Sequence, residues 1–291
     1  MSKIGIVTVL YNSEPVLEEF FQTLGEQTEK DFTLYIVDNA SKDKSLELSR
    51  RLAATADFPC VFFAEKENWG VAKGNNIGIE AALADGCEYV LLSNNDIVLR
   101  PDTIENLLCG MKEMDADMAV PKIYYHDSGL IWCAGGRYRW LMGDTQHYGK
   151  LKPDDRQYDS VRYIEYSPTC FMLIKSDIFR EIGMMDEKYF VYFDDTDFVY
   201  RAVKKNGKKL AYIPSSTLRH KVSSCTGDGS EFSRYMNSRN VIYFARKNFS
   251  MPHRMITIIV RFMHTFLRAK FIFPKTHYEA CKRGNIEGLR Y

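Results

Sequence analysis

No two cysteines in this 291-residue chain are spaced C-x-x-C, no apolar run reaches the ~18 residues a membrane span needs, and the charges almost cancel. The first absence excludes a zinc knuckle, and the scatter and odd number of Cys60, Cys87, Cys109, Cys133, Cys170, Cys225 and Cys281 exclude a disulfide framework. A reducing cytosol suits such cysteines. With 39 Lys and Arg against 38 Asp and Glu, the chain has no net field for a polyanion, so nucleic acid is not an expected partner. Internal repeats and low-complexity segments are also missing. The opening "MSKIGIVTVLYNSEP" enters a strand-like run without the basic, apolar and small-residue regions of a leader. The expectation is a cytoplasmic protein that meets a membrane only peripherally, on its cytoplasmic face.

What is present is a repeating order of strand and helix, with 45% apolar residues to build a sizeable core. "IGIVTVL", "FTLYIVD", "CVFFA" and "YVLLS" read as strands. The helices between and after them are "SEPVLEEFFQTLGEQ", "DKSLELSRRLAATA", "AKGNNIGIEAALADG" and "PDTIENLLCGMKEM". In the first helix Ser13 is placed to cap, Pro15 sits in the first turn, and Val16, Phe20 and Leu24 recur at spacing four. This alternation predicts right-handed crossovers and a parallel, doubly wound sheet. After Pro121 a Gly- and Tyr-rich stretch reads as strand and loop over an active site. "CFMLIK", the short helix "SDIFREIG" capped by Ser176, the helix "DDTDFVYRAVKKNG" and the strand "KKLAYIP" follow.

Ligands of such sheets bind beyond the carboxyl ends of the strands. Those ends carry Thr8, then Asp38 and Asn39, then Asn68 and Gly70, then Asn94, Asn95 and Asp96. Taken singly, each has an ordinary reading as a helix cap or turn; four polar ends on one rim suggest a ligand site. A second cluster is "YFVYFDDTDFVYR", where Asp194, Asp195 and Asp197 stand among Phe190, Tyr192, Phe193, Phe198 and Tyr200. Two readings stand side by side. Asp194 is an N-cap with Asp195 and Asp197 in the first turn, favoured by the helix dipole, or the aromatics hold a partly desolvated carboxylate for chemistry.

Taken in order and spacing, "VTVLYNSEPVLEEFFQTLGEQT", "IVDNASKDKS", "ENWGVAKGNNIG", "LLSNNDIVL" and "YFVYFDDTDFVYRAVKKNGKKLAYIP" resemble the family 2 inverting glycosyltransferases, in particular their rhamnosyltransferase-like branch. The resemblance covers about residues 3 to 245. It implies an α/β chain of GT-A fold, with a Rossmann-like nucleotide-binding half (1–121), a mixed central sheet and an acceptor and catalytic half (122–245). Residues 246–291 are left as a basic, amphipathic helical extension. The implied activity is a hexosyl- or deoxyhexosyltransferase taking a UDP- or dTDP-sugar, dTDP-rhamnose among them. The implied acceptor is a hydroxyl of a glycan or lipid-linked oligosaccharide in bacterial polysaccharide synthesis.

The resemblance also implies roles. Thr8 and Asp38 match positions that hold the base, and Asn39, Asn68, Gly70, Lys73, Asn76 and Asn95 complete the nucleotide-sugar site, with a helix start near Lys73 offering amides to the diphosphate. Asp96, in an N-x-D where the family has D-x-D, and His220 match ligands of a divalent cation, Mg or Mn. Asp194 and Asp195 stand where the family has Glu-Asp, with Asp195 as the general base that the inverting attack requires. Trp132, Arg137 and Trp140 lie in the stretch expected to bear on donor sugar identity.

The tail is the charged part: from Met251 onward eight residues are basic and two acidic, against 31 and 36 before it. Arg254, Arg261, Arg268 and Lys275 recur every seven residues beside Ile256, Ile259, Phe262, Phe266 and Phe271. An interfacial helix meeting the membrane through 251–275 is one reading; a helix packed on the body or on a second copy in a homodimer is the other. Two rivals to the whole reading are an inactive nucleotide-sugar-binding module and a nucleotidyltransferase. The latter would need a Gly-rich, basic loop that "VLYNSEP" lacks.

Overall fold

The computed structural model of the chain describes residues 3–221 and 229–291, apart from the side chains of Arg268 and Ala269. Cys225 and the end of "LRHKVSS" lie outside them. The six described cysteines are free. The first half runs β1 (Ile4–Leu10), α1 (Glu14–Gly25), β2 (Phe32–Asp38), α2 (Ser45–Ala53), β3 (Cys60–Ala64), α3 (Gly70–Ala84), β4 (Tyr89–Ser93), β5 (Ile97–Leu99) and α4 (Thr103–Glu113). The second half runs β6 (Met118–Tyr125), β7 (Ile131–Cys133), β8 (Gly136–Arg139), β9 (Asp144–His147), β10 (Arg162–Tyr163), β11 (Phe171–Lys175), α5 (Asp177–Ile182), α6 (Asp194–Val199) and β12 (Leu210–His220). The chain ends in α7 (Glu231–Asn248), α8 (Met251–His264), α9 (Lys270–Ile272) and α10 (Lys275–Gly288).

The large sheet has the order β10-β12-β6-β11-β4-β1-β2-β3. β1 to β4 are parallel, while β11 enters antiparallel between β4 and β6, so the sheet is mixed. The chain leaves β1 toward β2 on one side and returns to β4 on the other, which opens a crevice at the carboxyl ends of β1 and β4. Alternation along β1 feeds two cores: Ile4 and Ile6 join the one with Phe20 and Leu107, and Val7 joins the other with Ile79.

Local details depart from the sequence reading. Ser13 and Ser176 make no side-chain cap; Ser13 Oγ accepts from the Tyr11 amide at 3.2 Å, and Ser176 Oγ donates to the Cys87 carbonyl at 2.5 Å. Thr8 lies within β1 instead of after it. α3 begins at Gly70, ahead of the expected start, because Gly70 adopts φ +83° and a Cβ there would overlap the Phe190 carbonyl.

α7 runs unbroken across the expected seam at 245/246, with Val241 to Ala245 buried in the core of the body. α10 lies against α7 at a distance only glycine permits, since a Cβ on Gly284 would meet the Tyr235 carbonyl. The seven-residue basic stripe does not form one solvent-facing row: Lys275 is exposed, while Arg254 and Arg261 are partly buried against the body. Arg261 is turned inward to Asp144 at 3.5 Å with its side chain 15% exposed, and Arg254 donates to the Phe249 carbonyl at 3.4 Å. The outer face of α8 and the turns after it is apolar instead, with Ile259 52% and Phe271 79% exposed.

Candidate active site

Beyond the carboxyl ends of β1 to β4 lies a cavity of about 370 Å³. Val9, Asn39, Gly70 and Asn94 to Asp96 line its sheet side, and Phe190, Val191 and Phe232 close the other. Asn95 Nδ2 donates to the Val9 carbonyl at 2.8 Å, tying the end of β4 to β1, and Asn39 Nδ2 donates to the Gly70 carbonyl at 2.9 Å. Thr8 Oγ1, Asp38 Oδ1 and Asn39 Oδ1 are buried with no hydrogen-bond partner among the described residues. An unpaired buried acceptor costs about 1–3 kcal/mol; of the three residues Asn39 lines the cavity, while Thr8 and Asp38 are buried beside it and do not line it.

Three expectations here are corrected. Lys73 does not line the cavity; its ammonium rests 3.5 Å from the centroid of the Trp69 ring. Asn76 points away, exchanging bonds with the Met185 backbone at 3.0 Å each way and donating to Glu187 at 3.1 Å. Two first-turn amides of α3 are already taken: Gly70 N–H donates to Asn68 Oδ1 at 2.9 Å and Val71 N–H to the Phe190 carbonyl at 2.6 Å.

At the far edge of the rim Asp96 Oδ1 and His220 Nε2 are 3.0 Å apart, both residues under a tenth exposed. Asn94 Nδ2 stands 3.5 Å from the same nitrogen, and His220 Nδ1 is buried without a partner. No group of three metal-type side chains gathers among the described residues. One carboxylate and one imidazole fit a divalent cation that takes its other ligands from phosphate oxygens and water, as Mg does, and Mn accepts the nitrogen readily.

The acid cluster is built from strain. Phe190, Tyr192 and Phe193 hold φ of 63°, 62° and 69°, left-handed values that side chains other than glycine avoid at about 1–2 kcal/mol each. Asn240 of α7, fully buried, holds them there: its Nδ2 donates to the carbonyls of Tyr189, Val191 and Tyr192 at 3.2, 2.8 and 2.8 Å. Arg239 donates to the Lys188 and Tyr189 carbonyls at 2.9 and 3.0 Å. Phe193, not Asp194, is the N-cap of α6.

This backbone gives the three acids different surroundings. Asp197 is fully buried and bound by Arg201 at 2.8 Å, Lys247 at 2.9 Å, Asn248 at 2.7 Å and Tyr189 at 3.2 Å, a structural knot between α6 and α7. Asp194 is buried, and burial, with the charge of Asp195 behind it, pushes its carboxyl up to about 8. Asp195 alone keeps partial exposure. It accepts from Tyr166 Oη at 2.6 Å and from the Thr196 amide at 2.6 Å; burial pushes it up while these bonds pull it back.

A wall of rings joins this acid to the Asp96 side. Tyr166 lies 6.1 Å from His147, His147 4.9 Å from Trp132, and Trp132 4.7 Å from His220, centroid to centroid. Burial holds His147 down to about 4, so that ring is neutral at physiological pH. Burial pushes the Cys170 thiol well up. Arg137 pairs with Gln146, and Trp140 packs on Phe249 and His253, so of the three residues expected to bear on the donor sugar Trp132 is the one against His220. Sequence reading missed Tyr166, His147, Asn240 and Phe232; only the general reading of a stretch over the site pointed toward the first two.

The family model described as Glycosyl transferase family 2 matches residues 5–183. The dTDP-rhamnosyl transferase RfbF of Shigella flexneri is 24% identical over 307 aligned residues, covering 100% of this chain and 99% of the relative. The N-acetylglucosaminyl-diphospho-decaprenol L-rhamnosyltransferase of Mycobacterium tuberculosis is 24% identical over 244, covering 77% and 78%. Among solved structures, GalNAc-T7 with UDP, GalNAc and Mn²⁺ aligns at TM-score 0.69 and 14% identity over 98% of this chain and 55% of that one. S. aureus TarS with UDP-GlcNAc aligns at 0.63 and 14%, over 98% and 81%. These neighbours share the GT-A fold. With the matched segment covering more than half the chain, from the first strand past the end of β11, the protein belongs to glycosyl transferase family 2 and is a glycosyltransferase of the rhamnosyltransferase-like kind.

Proposed function

We propose that the protein moves a sugar from a UDP- or dTDP-sugar, dTDP-rhamnose first among them, to a hydroxyl of a glycan or lipid-linked oligosaccharide in bacterial polysaccharide synthesis, inverting the anomeric centre. The rhamnosyl donors and the lipid-linked substrate in the names of the two relatives support this choice. Thr8, Asp38 and Asn39 receive the nucleotide base, with the unpartnered Asp38 Oδ1 accepting the imide N–H of uracil or thymine. Asn68, Gly70 and Asn95 shape the passage from ribose to sugar. Asp96 and His220 hold a divalent cation, which when bound neutralises charge on the departing diphosphate.

Asp195 takes the proton of the acceptor hydroxyl as its oxygen forms the new bond to the anomeric carbon and the bond to the nucleoside diphosphate breaks. Tyr166 and the Thr196 amide keep Asp195 aimed and Asp194 shapes the field beside it. The observation that carries the reading is the contrast among the three acids: one is a structural knot, one is sealed, and Asp195 alone is open on the aromatic wall that leads to Asp96. Residues 251–275, with their apolar side outward, rest on the cytoplasmic face of the membrane. No described helix is long and apolar enough to cross it.

The test is a screen of UDP- and dTDP-sugars, with and without chelator, for release of nucleoside diphosphate in the presence of acceptor. Release with one donor class, suppressed by chelator, is expected. Saturable nucleotide binding without release from any donor would leave only a binding module.

A further inference from the structure

A second cavity, of about 500 Å³, lies between α7, α8 and α10. Arg234, Arg261, His264, Asn237, Ser238 and Asn285 line it, and among the described residues no carboxylate does. Arg234 is held in place: its Nε donates to the Gly229 carbonyl at 3.2 Å and to His277 Nδ1 at 3.1 Å, and its guanidinium lies 3.8 Å from the centroid of the Phe273 ring. Burial works against the charge on Arg261, which Asp144 at 3.5 Å offsets in part, and a bound anion would add to that offset.

We infer that this cavity takes the phosphate or diphosphate group of a membrane-anchored acceptor lipid, an inference that rests on the lipid-linked acceptor proposed above. The helix that forms its floor explains the choice of a lipid. α8 turns Arg261 and His264 toward the cavity and Ile259 and Met263, each 52% exposed, away from it. A helix is about 10 Å thick, and an apolar face sinks about 5–10 Å into the boundary of head groups and acyl chains. A cavity one helix above that face stands at the level of lipid phosphates. The charge agrees, since the eight basic residues from Met251 onward face only two acidic ones. α7 links the cavity to the donor cleft: Phe232 lines the cleft and Ser233 and Arg234 line the cavity. A phosphate seated here sets the attached sugar at the cleft mouth.

The test is flotation of the full chain with phosphatidylcholine vesicles, with and without polyprenyl diphosphate, in chelator and excess UDP so that the donor side is silent. The wild-type chain is expected to prefer the diphosphate-bearing vesicles by about tenfold or more, the worth of one charge-assisted contact, and inorganic pyrophosphate should compete. Arg234→Gln should remove most of that preference, and Ile259→Ser with Met263→Ser should weaken binding to both vesicles. Should Arg261→Gln fail to fold, Asn237→Asp places a repelling charge in the same cavity and should lower the preference too. A wild-type preference unchanged by Arg234→Gln and Asn237→Asp would overturn the inference. So would pyrophosphate binding without any vesicle preference, which would make the occupant a free diphosphate. Nucleoside diphosphate release by the wild-type chain is measured apart, so failure of the lipid site and failure of the transferase reading give different results.

Discussion

The two walls of the cleft are built by different means. On the donor wall, parallel pairing of β1 to β4 brings Asn39 and Asn95 to the cavity, with the positive φ of Asn12, Ala40 and Gly70 falling beyond the strand ends. On the acid wall, three left-handed aromatic residues aim Asp195, and they are held by α7 atoms 48 to 51 residues further along the chain. A regular scaffold can hold a rim of binding groups. Separating one working acid from two structural neighbours in the same turn requires backbone that would not persist unaided.

If the walls divide binding from chemistry, Asp195→Asn should cut transfer by ~10²–10⁴-fold while nucleotide affinity, read by titration calorimetry, stays near wild type. An equal loss of donor affinity would merge the two walls. Next in size, Asn240→Ala removes three bonds to buried carbonyls and should cost about 3 kcal/mol of stability, read by denaturant titration. Its transfer rate should fall while the donor wall still binds nucleotide.

Asp194 sharpens the contrast through pH. Its folded-state affinity for a proton is raised, so its contribution to stability is full below 3.8 and is lost as pH climbs through about 8. Asp194→Asn should therefore gain Tm relative to wild type above pH 8 and little near pH 4; an unchanged difference across the range would mean that the carboxyl is not sealed. The smallest effect is expected of Tyr166→Phe. Loss of the 2.6 Å bond should lower transfer by about tenfold or less and shift the acidic limb of the rate profile to higher pH, since Asp195 loses a donor to its ionised form.

Much of the donor wall was legible in the sequence because its signals are local. The period of "IGIVTVL" and "FTLYIVD" and the polar residues at their ends need no partner from elsewhere to be read. Ser13 and Ser176 misled because a serine before a helix scores as a cap wherever its hydroxyl is spent. Lys73 and Asn76 misled because their loop pattern says nothing about whether a side chain turns to the cleft, to Trp69 or to Met185. The acid wall was half legible: the aromatic setting of three acids marked a functional stretch, but Asn240 and Tyr166, which decide among them, are ordinary residues far away in the chain. The tail failed for the converse reason. Its seven-residue basic spacing is real, but only packing shows that Arg254 and Arg261 turn to the Phe249 carbonyl and Asp144 while Lys275 stays exposed.

The reach of Asn240 across the chain also sets an order of events during synthesis. Segments made first can fold first, so the parallel strands β1 to β4 can pair while α7 is still being made. The stretch bearing Asp195 waits for residues up to 51 positions downstream. Since Phe232 of α7 also closes the cavity, the same late helix completes the cleft and fixes the acid, so neither wall is finished before the other.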